Sequence, residues 1–157
     1  GYGLCSNGVV GIEARDVPLV VPRTDDCIAL FLGSQQRYLE LFHTYGGTFW
    51  LNNGWVETAF IPTQELMEQD MLWAKNYRHI GYISSPVYAA AAHRDTARKA
   101  AAYNGWSYEE FQGDSRLLRK LTTGEWDDRE FLICPPHHRI ESAYDGAKLK
   151  AVPCEVP

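Results

Sequence analysis

Three thiols are the residues of this chain best suited to chemistry: Cys5 in Gly1-Tyr2-Gly3-Leu4-Cys5, Cys27 in Arg23-Thr24-Asp25-Asp26-Cys27, and Cys134 in Ile133-Cys134-Pro135-Pro136-His137-His138. Each stands where an apolar run of strand length gives way to a loop or to the next helical segment. In an open parallel α/β sheet such turns gather along one edge, where the crevice outside the carboxyl ends of the strands binds ligands. The three thiols, distant in sequence, are therefore expected to meet around one metal ion or cofactor.

Cys27 falls in the first turn of an expected helix, where unpaired N–H groups and the helix dipole favour a thiolate. Asp25 and Asp26 oppose that charge, and Arg23 offsets them. Two carboxylates beside a thiol suit metal coordination better than a strongly activated nucleophile, with Asp26 and Arg23 surrounding the ligand. Cys134 precedes His137 and His138, and a thiol with an imidazole three residues later offers ligand types for zinc or iron. Adjacent histidines do not readily face one ion, so His137 is the chosen candidate. Asn52 and Trp55, in Asn52-Asn53-Gly54-Trp55, are expected to line the same crevice and help hold a cofactor. Cys154 reads as a free surface thiol, and His43 and His93 as packing or solvent-facing residues. A plainer account competes: each loop uses ordinary capping and turn residues, and each thiol is a small buried hydrophobe.

The elements that must position these residues follow from hydrophobic periodicity. Leu19-Val20-Val21 is a short β-branched strand stopped by Pro22. Asp25 or Asp26 caps a helix carrying Ile28, Leu30, Phe31 and Leu32, and Ser34 caps a second with Tyr38, Leu39, Leu41 and Phe42. Thr48-Phe49-Trp50-Leu51 is a strand, followed by a turn at Asn52-Asn53-Gly54-Trp55. A helix is expected over 62–78, a strand over 79–84 and an Ala-rich helix over 87–103. A strand over 106–111, a helix with Leu117, Leu118 and Leu121, and a strand over 130–133 complete the series. Strands alternating with helices predict an open, mostly parallel α/β sheet with helices on both faces and a ligand crevice at the C-terminal strand ends. One domain is expected over 1–140, lacking an N-terminal βα segment because Gly1 to Leu4 reads as the end of a strand already under way. Residues 141–157 read as a polar, Pro-rich tail.

Composition narrows the function classes. At 157 residues and 45% hydrophobic content the chain can bury a sizeable core. Its formal charge of -5 is dispersed, and Lys and Arg form no cluster, which argues against a nucleic-acid face. No apolar stretch is long enough to span a bilayer, so no membrane partner is expected. Four cysteines without a C-x-x-C pair resemble neither a secreted disulfide scaffold nor a zinc ribbon, and a reducing cytoplasm is the expected location. Phosphate-loop and dinucleotide fingerprints are absent, as is a G-x-S-x-G elbow. The adjacent carboxylates Glu109-Glu110 and Asp127-Asp128 have no glycosidase spacing.

Three runs resemble a known family: Gly1 to Gly8, Pro22 to Ser34, and Gly47-Thr48-Phe49-Trp50-Leu51 leading to Gly54-Trp55. They are similar to domain-of-unknown-function family sixteen thirty-eight, over Gly1 to about Ile140. Its members usually extend further at the N-terminus, with another strand and another cysteine, and many have His where this chain has Asp25. The family is found largely in anaerobes, often beside genes for corrinoid proteins and methylamine-type methyltransferases. The resemblance thus implies a role near cobalamin-dependent methyl transfer, with a corrinoid as candidate cofactor and a corrinoid protein or methyltransferase as candidate partner. A second copy of the chain is a further candidate partner. The expected function is an accessory metal- or metallocofactor-binding protein using thiolates at the strand-end crevice. The rivals are a thiol enzyme with Cys27 as nucleophile and a non-catalytic interaction domain; whether the chain is an enzyme stays open.

Overall fold

The computed structural model describes residues 3–58, 75–85, 87–88 and 91–154. The helix expected over 62–78 lies outside the described residues for its first thirteen positions, 62–74, as do Gly1 and Tyr2. The chain divides into two compact units, Gly1–Arg37 with Ser115–Pro157, and Tyr38–Asp114.

The unit Tyr38–Asp114 holds a parallel three-stranded sheet in the order β3-β4-β5: β3 (Thr48–Asn52), β4 (His79–Ser84) and β5 (Ser107–Gln112). The expected βα alternation survives here, and β3 and β4 carry the apolar runs that two-sided burial requires. In central β4, every residue from Ile80 to Ser84 is buried, whereas edge β5 buries none and exposes Ser107, Glu110 and Gln112. Gly81 pairs with Trp50 across β3 and β4. A Cβ there would come within 2.8 Å of the Trp50 ring and 2.7 Å of the Thr48 methyl, so the large aromatic is accommodated by the missing side chain. The Ala-rich helix runs Ala91–Asn104, and its Ala97, Ala100 and Ala101 pack against Phe49, Leu51, Ile80 and Tyr82.

The unit formed by the two chain ends is built differently, and here the expected architecture is corrected. β2 (Leu19–Pro22) pairs with β6 (Phe131–Cys134) antiparallel, with Leu19 opposite Cys134 and Pro22 opposite Phe131. These two strands do not join the parallel sheet. β1 (Glu13–Ala14), β7 (His138–Ser142) and β8 (Leu149–Pro153) form an antiparallel sheet in the order β1-β7-β8. The segment read as a tail is therefore largely a β-hairpin, and it buries Leu149 against Ala14, Val21, Leu132 and Ile140. Its polar text reflects a strand pair with one wet face, which a search for continuous apolar runs passes over.

Helix α1 (Cys27–Leu32) buries Ala29, Leu30 and Leu32. Leu30 packs against Phe131 and against Leu117 of the helix Arg116–Thr123. Glu130 then anchors that helix: it accepts from Arg116 and from Lys120 at 2.6 Å, while Lys120 also pairs with Asp127. Among the described residues, no helix is long and apolar enough to cross a membrane.

Candidate functional site

Cys27 begins α1 because Asp26 caps it. The Asp26 backbone is extended, and its Oδ1 accepts from the amides of Ile28 at 2.8 Å and Ala29 at 3.4 Å, satisfying donors that a helix start leaves free. Asp25 takes other work. Its carboxylate accepts from Gln35 Nε2 at 2.6 Å and pairs with Lys148 Nζ at 2.9 Å, while its amide donates to Gln35 Oε1.

Cys5 reaches this loop through backbone contacts. The segment Cys5–Asn7 is a single 3-10 turn, where the sequence suggested the exit of a strand. Just before it, the Leu4 amide donates to the Thr24 carbonyl at 2.9 Å. Gly3 has φ +60, and a Cβ on it would collide with the carbonyl and the hydroxyl of Thr24, so only glycine allows this close approach. Thr24 is 1% exposed, and its Oγ1 has no hydrogen-bond partner among the described residues. Thr24 and Gly3 carry no signal of their own in the sequence beyond lying beside the two cysteines.

The Cys5 thiol is near enough to the Cys27 thiol to act on its proton affinity. Burial pushes Cys27 up to about 11 from the usual 9.0, and the Cys5 thiol and the Asp26 carboxylate add to the rise. A backbone hydrogen bond at Cys27 pulls the other way, as a helix start should, but burial outweighs it. Cys27 is thus a protonated thiol at neutral pH. Arg23 does not counter this, since its guanidinium is spent on backbone carbonyls. Nε donates to Asp128 at 2.9 Å and Phe131 at 3.2 Å, and Nη1 donates to Ala147 at 2.8 Å and to Leu149. Arg23 ties β2 to the β7–β8 hairpin.

Cys134 is fully buried at the end of β6, within the cluster of Ala14, Val21, Leu132, Ile140 and Leu149. Burial first, and then the Cys154 thiol, raise its proton affinity. Cys154, which the sequence suggested was a free surface thiol, is free and half-buried. His137 is exposed in the following turn with φ 61, its amide donating to the Ala14 carbonyl at 2.7 Å and its carbonyl accepting from Cys154 at 2.9 Å.

Asn52 and Trp55 belong to the other unit, at the C-terminal end of β3. The expected turn there is the start of a helix, Asn53–Glu57, which Asn52 caps by accepting from the Trp55 amide at 3.0 Å. Trp55 packs, partly buried, on the cluster that contains Phe49, Val56 and Tyr82. The Tyr82 hydroxyl donates to Asn53, whose Nδ2 donates to the Tyr88 carbonyl at 3.0 Å.

Cys5 is the thiol that acts on the proton affinity of Cys27, and Cys154 the thiol that acts on that of Cys134. Among the described residues, no group of three or more His, Cys, Asp or Glu side chains is placed to hold a metal ion. Two thiols can still ligate a soft ion whose other positions are filled from outside the protein. No curated protein and no solved structure matches the chain. The model of a family described as a protein of unknown function (DUF1638) matches residues 1–122. With more than three quarters of its length in that match, the chain belongs to the DUF1638 family.

Proposed function

We propose that this protein is an accessory factor that binds a metal ion, or a metal carried in a cofactor, through the thiolates of Cys5 and Cys27, in support of corrinoid-dependent methyl transfer. The observation that carries the reading is the backbone bond from the Leu4 amide to the Thr24 carbonyl, which brings the Cys5 segment to the loop leading into Cys27, whose proton affinity the Cys5 thiol raises. Two sulfur ligands leave coordination positions open. That suits a metal arriving with ligands of its own, such as a corrinoid, or a soft ion that a partner then receives. The Thr24 hydroxyl, without a partner among the described residues, is a polar group adjoining the same two segments. The gene neighbourhood implied by the family resemblance supplies the methyl-transfer half of the proposal.

A thiol held up to about 11 must surrender its proton to a metal, so binding releases protons and strengthens as pH rises. The same proton affinity counts against Cys27 as a free nucleophile at neutral pH. Elemental analysis and absorption spectroscopy on protein purified without oxygen test the reading. Near-stoichiometric metal or corrinoid, lost in Cys27→Ala and in Cys5→Ala but kept in Cys134→Ala, is the expected result. Metal-free, colourless protein that takes up neither zinc, iron nor a corrinoid would overturn it.

A further inference from the structure

The other two cysteines are Cys134 and Cys154. β6 ends in Cys134, wholly buried, and the chain turns through Pro135 and Pro136 to His137. The His137 carbonyl accepts from the Cys154 amide at 2.9 Å, which carries the β7–β8 ladder one step beyond the His138 and Pro153 pair. Cys154 therefore lies against the same turn that Cys134 enters. Ala151, three residues before Cys154, packs on the apolar cluster that contains Cys134. One thiol is buried and its neighbour is only half-buried.

We propose that Cys134 and Cys154 form a modification site, a dithiol that closes to an intramolecular disulfide and staples the C-terminal strand β8 to β6. The oxidant is a low-molecular-weight disulfide of the glutathione class. Cys154, the more accessible thiol, loses its proton and attacks one sulfur of that disulfide; the S–S bond breaks and one small thiolate leaves and takes up a proton. Cys134 then loses its proton and attacks the Cys154 sulfur in the mixed disulfide, expelling the second small thiol. Two protein S–H bonds and one small-molecule S–S bond are exchanged for one protein S–S bond and two small-molecule S–H bonds. The protein loses two electrons and the oxidant gains them. Burial and the adjoining thiol make Cys134 slow to ionise, so closure accelerates as pH rises. The hairpin so fixed contains Ala147, Lys148 and Leu149, the partners of Arg23 and Asp25, and the staple therefore stiffens the loop that leads into Cys27.

The test uses the whole chain and does not depend on any metal. Reduced protein is incubated with glutathione disulfide, remaining thiols are blocked with N-ethylmaleimide, and the protein is digested with trypsin without reductant. The expected product joins the peptide 130–139 to the peptide that begins at Ala151, two hydrogens lighter than their sum. It should form equally in a Cys5→Ser, Cys27→Ser double variant and faster at higher pH. Cys134→Ala, and Cys134→Val should the alanine variant unfold, should instead accumulate glutathione on Cys154. Wild-type protein that stops at that mixed disulfide, that links Cys154 to Cys5 or Cys27, or that leaves both thiols to N-ethylmaleimide would overturn the proposal.

Discussion

The amide of Leu4 donates to the carbonyl of Thr24 at 2.9 Å, and this one backbone bond draws Cys5 to the start of the helix that Cys27 begins. The approach of the Cys5 segment to the loop before Cys27 is therefore built into the backbone path, with Gly3 fitted against Thr24 directly before it.

Gly3→Ala should separate the two segments. A Cβ at φ +60 is strained, and this one also meets the Thr24 carbonyl and hydroxyl. The strain alone should cost about 1 kcal/mol and the collision more. Urea unfolding should show the lower midpoint, and alkylation of Cys27 at neutral pH should quicken as its neighbour withdraws. Unchanged stability and unchanged reactivity would contradict the close approach.

The pH response of Cys27 has a definite sign. Its folded value of about 11 lies above the usual thiol value of 9.0, so the fold's preference for the protonated thiol is fully present below pH 9. That preference is lost as pH rises through about 11. Iodoacetamide labelling of Cys27 should stay slow at neutral pH and climb across this window, and Cys5→Ser should shift the climb to lower pH. A rate already at its plateau at neutral pH would show an activated thiolate instead.

Asp26 does two things that substitution separates. Asp26→Asn keeps an oxygen to accept from Ile28 and Ala29 but removes the charge, so it should lower the proton affinity of Cys27 at little cost in stability. Asp26→Ala should lower it too and also lose about 1 kcal/mol with the cap. Comparing urea midpoints with labelling profiles for the two variants checks both parts.

Arg23→Met keeps the apolar stem and removes the donors to Asp128, Phe131, Ala147 and Leu149. Losing charged donors to several carbonyls should cost about 2 kcal/mol or more. Amide exchange should rise most in residues 147–149. A role for Arg23 in holding a bound ligand predicts instead that stability is kept and binding falls.

Much of the local order was legible. An aspartate cap on α1 from Asp25 or Asp26, which the structure resolves to Asp26, Ser34 accepting from the Arg37 amide to start the next helix, and the parallel run of β3, β4 and β5 all follow from residues close in the chain. Capping and apolar period act over a few residues, so they survive in the text of the sequence. The Asn52 turn was misread as a loop end for a related reason: Asn serves turns and helix caps alike, and the packing of Val56 and Trp55 decides between them.

The sequence by itself determined a capping aspartate at 25 or 26, the three strands and the Ala-rich helix of the parallel unit, and membership of the DUF1638 family. Tertiary structure decided that β2 pairs antiparallel with β6 and that 138–153 is a hairpin. The physical reason is range. A short apolar strand reads the same whether its distant partner runs with it or against it. The proton affinity of Cys27 is set by what the fold packs over it, which local spacing does not encode.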